Sequence, residues 1–248
     1  MAEQEWVYGI HAVAALLARA PERIVELRVQ EGRVDQRMQQ LLAAAETAGI
    51  AVERVSRAEL DRQQEGRHQG VVARLAAQVE YRESDLEMLL ERAGTPFLLV
   101  LDGVTDPHNL GACLRSADAA GVTAVIAPKD KAAGLTPVAR KVACGAAETV
   151  PFVQVTNLAR TLKRLQELGV WIVGAAGEAD RSLYEQELTG PIALVMGAEG
   201  SGMRRLTKDC CDFLVNLPMA GSVSSLNVSV ATGICLFEAV RQRRSSPK

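Results

Sequence analysis

Residues 218–244, PMAGSVSSLNVSVATGICLFEAVRQRR, change character twice. They open as a loop too small and polar to be core, with Gly221, Ser222, Ser224 and Ser225. A helix pattern follows, with small residues on its first turns (Ser229, Ala231, Thr232, Gly233) and apolar ones further on (Ile234, Leu236, Phe237, Val240). The run closes on Arg241, Arg243 and Arg244. Small residues let two backbones, or a backbone and a ligand, approach closely. A helix start offers unpaired N–H groups and the positive end of a dipole. The stretch therefore reads as a binding loop feeding a packing helix. Its plain alternative is an amphipathic helix with a Ser-rich lead-in, and the segment alone does not separate the two.

Upstream, from Pro96, apolar runs alternate with helical patterns. Phe97–Leu101 is a continuous apolar run, as expected of a strand buried on both faces. Helices are expected over 109–120, 136–147 and 157–168, and further strands over 123–127, 151–155, 170–173, 192–196 and 213–217. The order implies an α/β domain with a mostly parallel sheet. Such sheets bind ligands where loops leave the carboxyl ends of the strands.

Two more loops of this kind carry unusual residues. In DGVTDPHNLGACLRSA (102–117), Asp106 or Asn109 can cap a helix and Gly111 allows close approach. Arg115, six residues past Asn109, is either a surface helix residue or a side chain reaching back toward the helix start. In LVMGAEGSGM (194–203) a buried strand runs into glycines with Glu199 among them. Their spacing is G-x-x-G-x-G, so the dinucleotide pattern G-x-G-x-x-G is missing, which counts against a nicotinamide enzyme. A tight turn would explain one of these glycines more easily than three. At the start of the last helix, Ser225 is a plausible N-cap.

Residues 78–95 read as a charged interdomain linker, in which Ser84 and Glu87 suit the start of a short helix. Residues 1–77 read as a small α/β unit, with strands over 24–29, 52–55 and 70–75, helices over 12–18 and 36–48, and a capping box of Ser56 with Glu59. Arg54, Arg57, Arg62, Arg67 and His68 gather around one connection, as a substrate-binding surface or as a solvated charged face.

Composition narrows the classes. The net charge is -2, so any nucleic-acid binding must use a local basic face. The five cysteines form no C-x-x-C pair, so buried free thiols in a reducing compartment are expected rather than disulfides or zinc. The histidines, His11, His68 and His108, do not support a His-based metal site. There is no Walker A loop and no G-x-S-x-G elbow. The opening MAEQEWVYG lacks a signal-peptide pattern and no apolar run is long enough to span a bilayer, so a cytoplasmic location is expected.

Taken together and in order, N-L-G-A-C-L-R (109–115), M-G-A-E-G-S-G-M (196–203) and P-M-A-G-S-V-S-S-L-N-V-S-V-A (218–231) closely resemble the three motifs of the SpoU (TrmH-like) branch of the SPOUT methyltransferases. The resemblance covers 96–248. The N-terminal unit, with H-Q-G-V-V-A at 68–73, resembles the L30e-like substrate-binding domain of the same enzymes. The resemblance implies a deep trefoil knot in an α/β-knot domain, and a homodimer with the final helix at the interface. It implies S-adenosylmethionine as the cofactor, at Gly197, Leu217 and Leu226 and held largely by backbone groups. Within the branch, the chain is most similar to bacterial enzymes that methylate a guanosine 2'-hydroxyl of 23S rRNA, in the P-loop of the peptidyl-transferase centre. The resemblance assigns the central catalytic role to Arg115, with Asn109, Glu199, Ser225 and Asn227 positioning it and the ribose. A free guanidinium stays protonated to above about pH 12, so Arg115 acts either as an unusually deprotonated base or as a cation steadying the alkoxide. A 2'-hydroxyl acceptor makes the substrate RNA and not DNA. Two alternatives stay open: the same chemistry on a tRNA ribose, and a non-catalytic rRNA-binding or ribosome-assembly protein.

Overall fold

The computed structural model describes residues 6–19, 21–33, 35–63, 68–76 and 80–245, in two units, Met1–Val79 and Glu80–Lys248. The first contains β1 (Trp6–Tyr8), α1 (Ile10–Arg19), β2 (Ile24–Gln30), α2 (Gln36–Thr47), β3 (Val52–Val55), α3 (Arg57–Gln63) and β4 (Val71–Leu75). Its sheet has the order β1-β4-β2-β3, antiparallel except for the parallel β2–β3 pair. Strand β1, three residues long, is absent from the sequence reading. Helix α2 starts where Asp35 accepts the Met38 N–H at 3.0 Å, and it buries Met38, Leu41 and Ala45 against Leu27, Val71 and Ala73. His68 does not belong to a basic surface. It is buried, its Nδ1 accepts the Gly70 N–H at 3.0 Å, and its Nε2 faces Asp61 at 2.9 Å. Arg54, Arg57 and Arg62 are exposed; Arg67 lies outside the described residues.

The second unit contains α4 (Leu86–Ala93), β5 (Phe97–Asp102), α5 (Pro107–Ala120), β6 (Ala124–Pro128), α6 (Pro137–Ala143), α7 (Ala146–Thr149), β7 (Phe152–Val155), α8 (Leu158–Glu167), β8 (Trp171–Ala175), β9 (Ile192–Gly197), α9 (Arg205–Lys208), β10 (Phe213–Val215) and α10 (Val228–Ser245). The sheet order is β10-β8-β9-β5-β6-β7, and every neighbouring pair is parallel. The strand residue period of two divides β5 between two cores. Leu99 and Leu101 meet Leu110, Leu114 and Leu236 on one face; Leu98 and Val100 meet Leu162, Leu165 and Leu90 on the other. Each fully buried leucine of this kind contributes about 1.5–3 kcal/mol.

The expected linker is more structured than a connection. Helix α4 sets Leu86, Leu89 and Leu90 into the second unit's core, and Arg164 of α8 holds Glu87 at 2.6 Å. Its lead-in is a 3-10 turn, Glu83–Asp85, in which Asp85, not Ser84, accepts the Arg82 N–H at 2.7 Å. The helix expected over 136–147 is two helices, broken at Cys144 (φ 54) and Gly145 (φ 97).

Gly111 serves this packing. A Cβ there would lie 2.5 Å from the Ala139 carbonyl oxygen and 2.7 Å from Val142 Cβ. Helix propensity alone would favour Gly111→Ala by about 1 kcal/mol. The backbone clash outweighs it, because overpacking costs roughly 1–3 kcal/mol and the obstacle is not a flexible side-chain tip. Gly111→Ala is expected to lower the thermal midpoint by about 3–10 °C, with Gly190→Ala, which meets nothing within 4 Å, as the unaffected control. An unchanged midpoint for Gly111→Ala in differential scanning calorimetry would contradict this packing.

Candidate active site

Three loops meet at the carboxyl ends of β5 and β9. After β5 the chain turns through Gly103 (φ 82), and Asp106 caps α5 by accepting the His108 N–H at 2.9 Å. That leaves Asn109 to be used elsewhere: it is buried, and its Oδ1 accepts from Asn227 Nδ2 at 3.0 Å. The same Nδ2 donates to Glu199 Oε1. Glu199 Oε1 also accepts the Val228 N–H at 3.3 Å, one of the orphan donors at the start of α10. Asn227 Oδ1 takes the Ser229 N–H at 2.9 Å and the Ser229 hydroxyl at 2.6 Å. Asn227, and not Ser225, is therefore the cap of α10. Ser225 is exposed in the loop before it.

The glycines after β9 are all explained by a tight turn. Ala198 and Gly202 exchange backbone hydrogen bonds at 3.0 and 2.9 Å, and Gly200 (φ 78) and Gly202 (φ 66) take left-handed conformations. Gly197 lies so close to this turn that a Cβ would be 2.2 Å from Gly202 C and Met203 N. Asp102, which the sequence reading passed over, anchors the far side of the turn. It is fully buried opposite Gly197 in the β5–β9 register. Its Oδ2 accepts the Arg204 N–H at 2.8 Å, and its Oδ1 lies 3.1 Å from Arg204 Nε without hydrogen-bond alignment. The signal was available: a carboxylate ending an otherwise wholly apolar strand needs a partner.

Arg115 is not part of the Asn109–Asn227–Glu199 cluster. It is exposed on α5 and its Nη1 lies 3.7 Å from Cys144 Sγ, at the break between α6 and α7. Leu217 and Leu226 are partly buried at the two ends of the loop after β10. Among the described hydrogen bonds, none engages a backbone or side-chain group of residues 217–226. Residues 218–225 of this stretch are exposed.

The basic run at the end of α10 is largely committed to structure. Arg241 pairs with Glu238 at 2.7 Å. Arg243 donates to the carbonyls of Leu188, Pro96 and Gly190 and lies over the Phe97 ring at 4.5 Å; its burial lowers its pKa. No group of His, Cys, Asp and Glu able to hold a metal ion occurs among the described residues.

Comparison with known proteins adds to this geometry. The profile described as the SpoU rRNA Methylase family matches residues 96–237, and the profile described as RNA 2'-O ribose methyltransferase substrate binding matches residues 6–80. The chain is 65% identical over 240 residues to the 23S rRNA (guanosine-2'-O-)-methyltransferase RlmB of Yersinia pestis, covering 96% of this chain and 98% of that protein. It is 62% identical over 240 residues to the protein of the same name from Escherichia coli K12, covering 96% and 99%. Among solved structures, the SpoU methyltransferase AviRb from Streptomyces viridochromogenes in complex with the cofactor AdoMet shares the fold. It superposes with a TM-score of 0.70 at 24% identity, covering 98% of this chain and 92% of that one.

The thiols give a test of the site's surface. Burial pushes Cys113 up to about 11 and Cys211 and Cys235 up to about 12, whereas Cys144 is exposed next to Arg115. A disulfide reagent at pH 8 is expected to label one thiol rapidly in the native protein, and Cys144→Ser is expected to remove that phase. Persistence of the fast phase in Cys144→Ser would contradict the placement of the thiols.

Proposed function

Since this chain belongs to the SpoU rRNA methylase family, we propose that it transfers a methyl group from S-adenosylmethionine to the 2'-hydroxyl of a guanosine in 23S rRNA. The observation that carries this reading is the meeting of Asn109, Glu199 and Asn227, one from each motif loop, at the strand ends of a chain aligned almost end to end with 23S rRNA methyltransferases. The target is the P-loop of the peptidyl-transferase centre. Residues 1–77, an L30e-like domain, take hold of the RNA, and residues 96–248 perform the transfer; the substrate-binding match over 6–80 and the methylase match over 96–237 support this division. The protein works in the cytoplasm, and no described helix is long and apolar enough to cross a membrane.

The residues present suit the cofactor. Its carboxylate, amine and adenine need donors and acceptors, and 217–226 supplies a run of backbone groups that the fold leaves unused. Gly197, at the end of β9, and Leu217 and Leu226, at the two ends of that run, take the cofactor through backbone groups, which is why apolar residue types stand at ligand positions. When bound, S-adenosylmethionine supplies an already activated methyl group. The protein's own residues orient the ribose hydroxyl and help its proton leave. Asn109, Glu199 and Asn227 hold the loops in register, and Ser225, exposed on the adjacent loop, meets the ribose. Arg115 acts as a cation: its fan of N–H donors steadies the forming alkoxide and the neighbouring phosphate.

The chain end forms a deep trefoil knot in this reading. Strand β10 lies outside β8, not beside β9. Asn216 then exchanges backbone hydrogen bonds with Arg181 and Leu183, while Gln242 and Arg243 bond to Gln186, Leu188 and Gly190. Residues on both sides of the 217–227 loop thus grip the same 181–190 segment. The protein is a homodimer in the same reading, with Val230 and Phe237 of α10, both about half exposed, at the interface.

Arg115→Ala is expected to lower methyl transfer to a 23S rRNA transcript by at least about a hundredfold, the scale of losing one transition-state charge donor. The thermal midpoint and the calorimetric affinity for S-adenosylmethionine should stay at their wild-type values. Retained transfer would remove Arg115 from the mechanism. Transfer lost together with cofactor binding would move its role to the cofactor site.

A further inference from the structure

The methyltransferase unit carries a basic segment rich in exposed lysines. The chain has six lysines, and three of them, Lys129, Lys131 and Lys141, fall within 13 residues. Over residues 129–141 four basic residues (Lys129, Lys131, Arg140, Lys141) stand against one acidic residue, Asp130, in a protein whose net charge is -2. Arg140 is tied to Glu148 at 2.8 Å. The three lysines are exposed, and no side-chain hydrogen bond or ion pair engages them among the described residues.

The fold delivers this segment to the reacting end of the sheet. It follows β6, whose carboxyl end lies on the same side as those of β5 and β9 because the sheet is parallel. Ala133 donates its N–H to the Val104 carbonyl at 2.8 Å, which fixes the segment to the loop between β5 and α5. Arg204, held by Asp102, reaches the Asp130 carbonyl at 3.5 Å, which fixes it to the turn that carries Glu199. At its other end, Lys141 is one turn before Cys144, the neighbour of the Arg115 guanidinium. Lys131 also has φ 56, a left-handed conformation that costs an ordinary side chain roughly 1 kcal/mol and that Asn tolerates better.

We propose that Lys129, Lys131 and Lys141 form a phosphate-binding track that takes the RNA backbone flanking the target nucleotide and leads it to Arg115. The proposal rests on the methyltransferase reading above. Three flexible ammonium groups, two on the loop after β6 and one on α6, suit this role, because phosphates along an RNA strand need point charges and not base-specific contacts.

The test is RNA affinity against salt, measured with the full chain and a 23S rRNA transcript, for wild type, the double variant Lys129→Gln/Lys131→Asn, and Lys163→Gln as an exposed lysine on α8. Each phosphate contact to a single strand contributes about 0.7 to the slope of log affinity against log salt, so the double variant is expected to lose about 1.4. Its KM for RNA should rise and its S-adenosylmethionine affinity should stay. Lys131→Asn alone should leave the thermal midpoint equal or higher while still flattening the slope, which separates a binding role from a folding one. An unchanged slope in the double variant, or the same loss in Lys163→Gln, overturns the track. If the wild type binds the transcript but transfers no methyl, the function proposed above fails instead, and the slopes still decide the track.

Discussion

One carboxamide holds the site together. Asn227 donates to Asn109 and to Glu199, residues 118 and 28 positions away, while its oxygen takes the N–H and the hydroxyl of Ser229 in the first turn of α10. Only an amide does all of this. A carboxylate at 227 would face Glu199 with like charge, and a hydroxyl could not reach three partners. The loops it joins come to one place because every strand of the sheet runs the same way. The glycine turn and the buried Asp102 then fix how Glu199 is presented.

Helix α10 is pinned at both ends, and this explains why the stretch dominates the fold. At its start Asn227 and Glu199 satisfy the opening N–H groups beside the carboxyl ends of the strands. At its other end Arg243 holds the carbonyls of Pro96 and Gly190, just before β5 and β9 begin. Eighteen helical residues span about 27 Å, enough to cross the sheet from one end to the other. Between the anchors, Cys235, Leu236 and Ala239 pack on the core, and Thr232 accepts a weak bond from Cys113 at 3.6 Å. The helix thus links the stability of the sheet to the geometry of the reacting end.

Much of this was legible in the residues. The apolar strand at 97–101, the alternation of strands and helices after it, and the three loops were all readable, because periodicity and small-residue runs are local signals. Asn109, Glu199 and Asn227 were named by their motifs, but the hydrogen bonds joining them were not, since residues 118 apart leave no periodic trace. Ser225 and Asn227 are both good caps; burial of Val228, a tertiary fact, decides for Asn227. A short helix is expected within the 78–95 linker, but its charged residues obscure the Leu86, Leu89, Leu90 spacing that buries it in the second unit's core. Gly111 is readable as a point of close approach, and the neighbour that approaches is the backbone of α6, which local sequence does not name. Asp102 was missed because it lies at the end of a strand read only for its hydrophobicity.

The central claim is that the amide-joined loops make a ribose methyltransferase for 23S rRNA. It is tested most directly by mapping ribose methylation of 23S rRNA in cells with the gene, without it, and with Asn227→Asp in its place. One 2'-O-methylguanosine in the P-loop is expected to disappear without the gene, to return with the wild type, and to stay absent or strongly reduced with Asn227→Asp. An unchanged 23S map without the gene would contradict the substrate, and full restoration by Asn227→Asp would contradict the role of the amide.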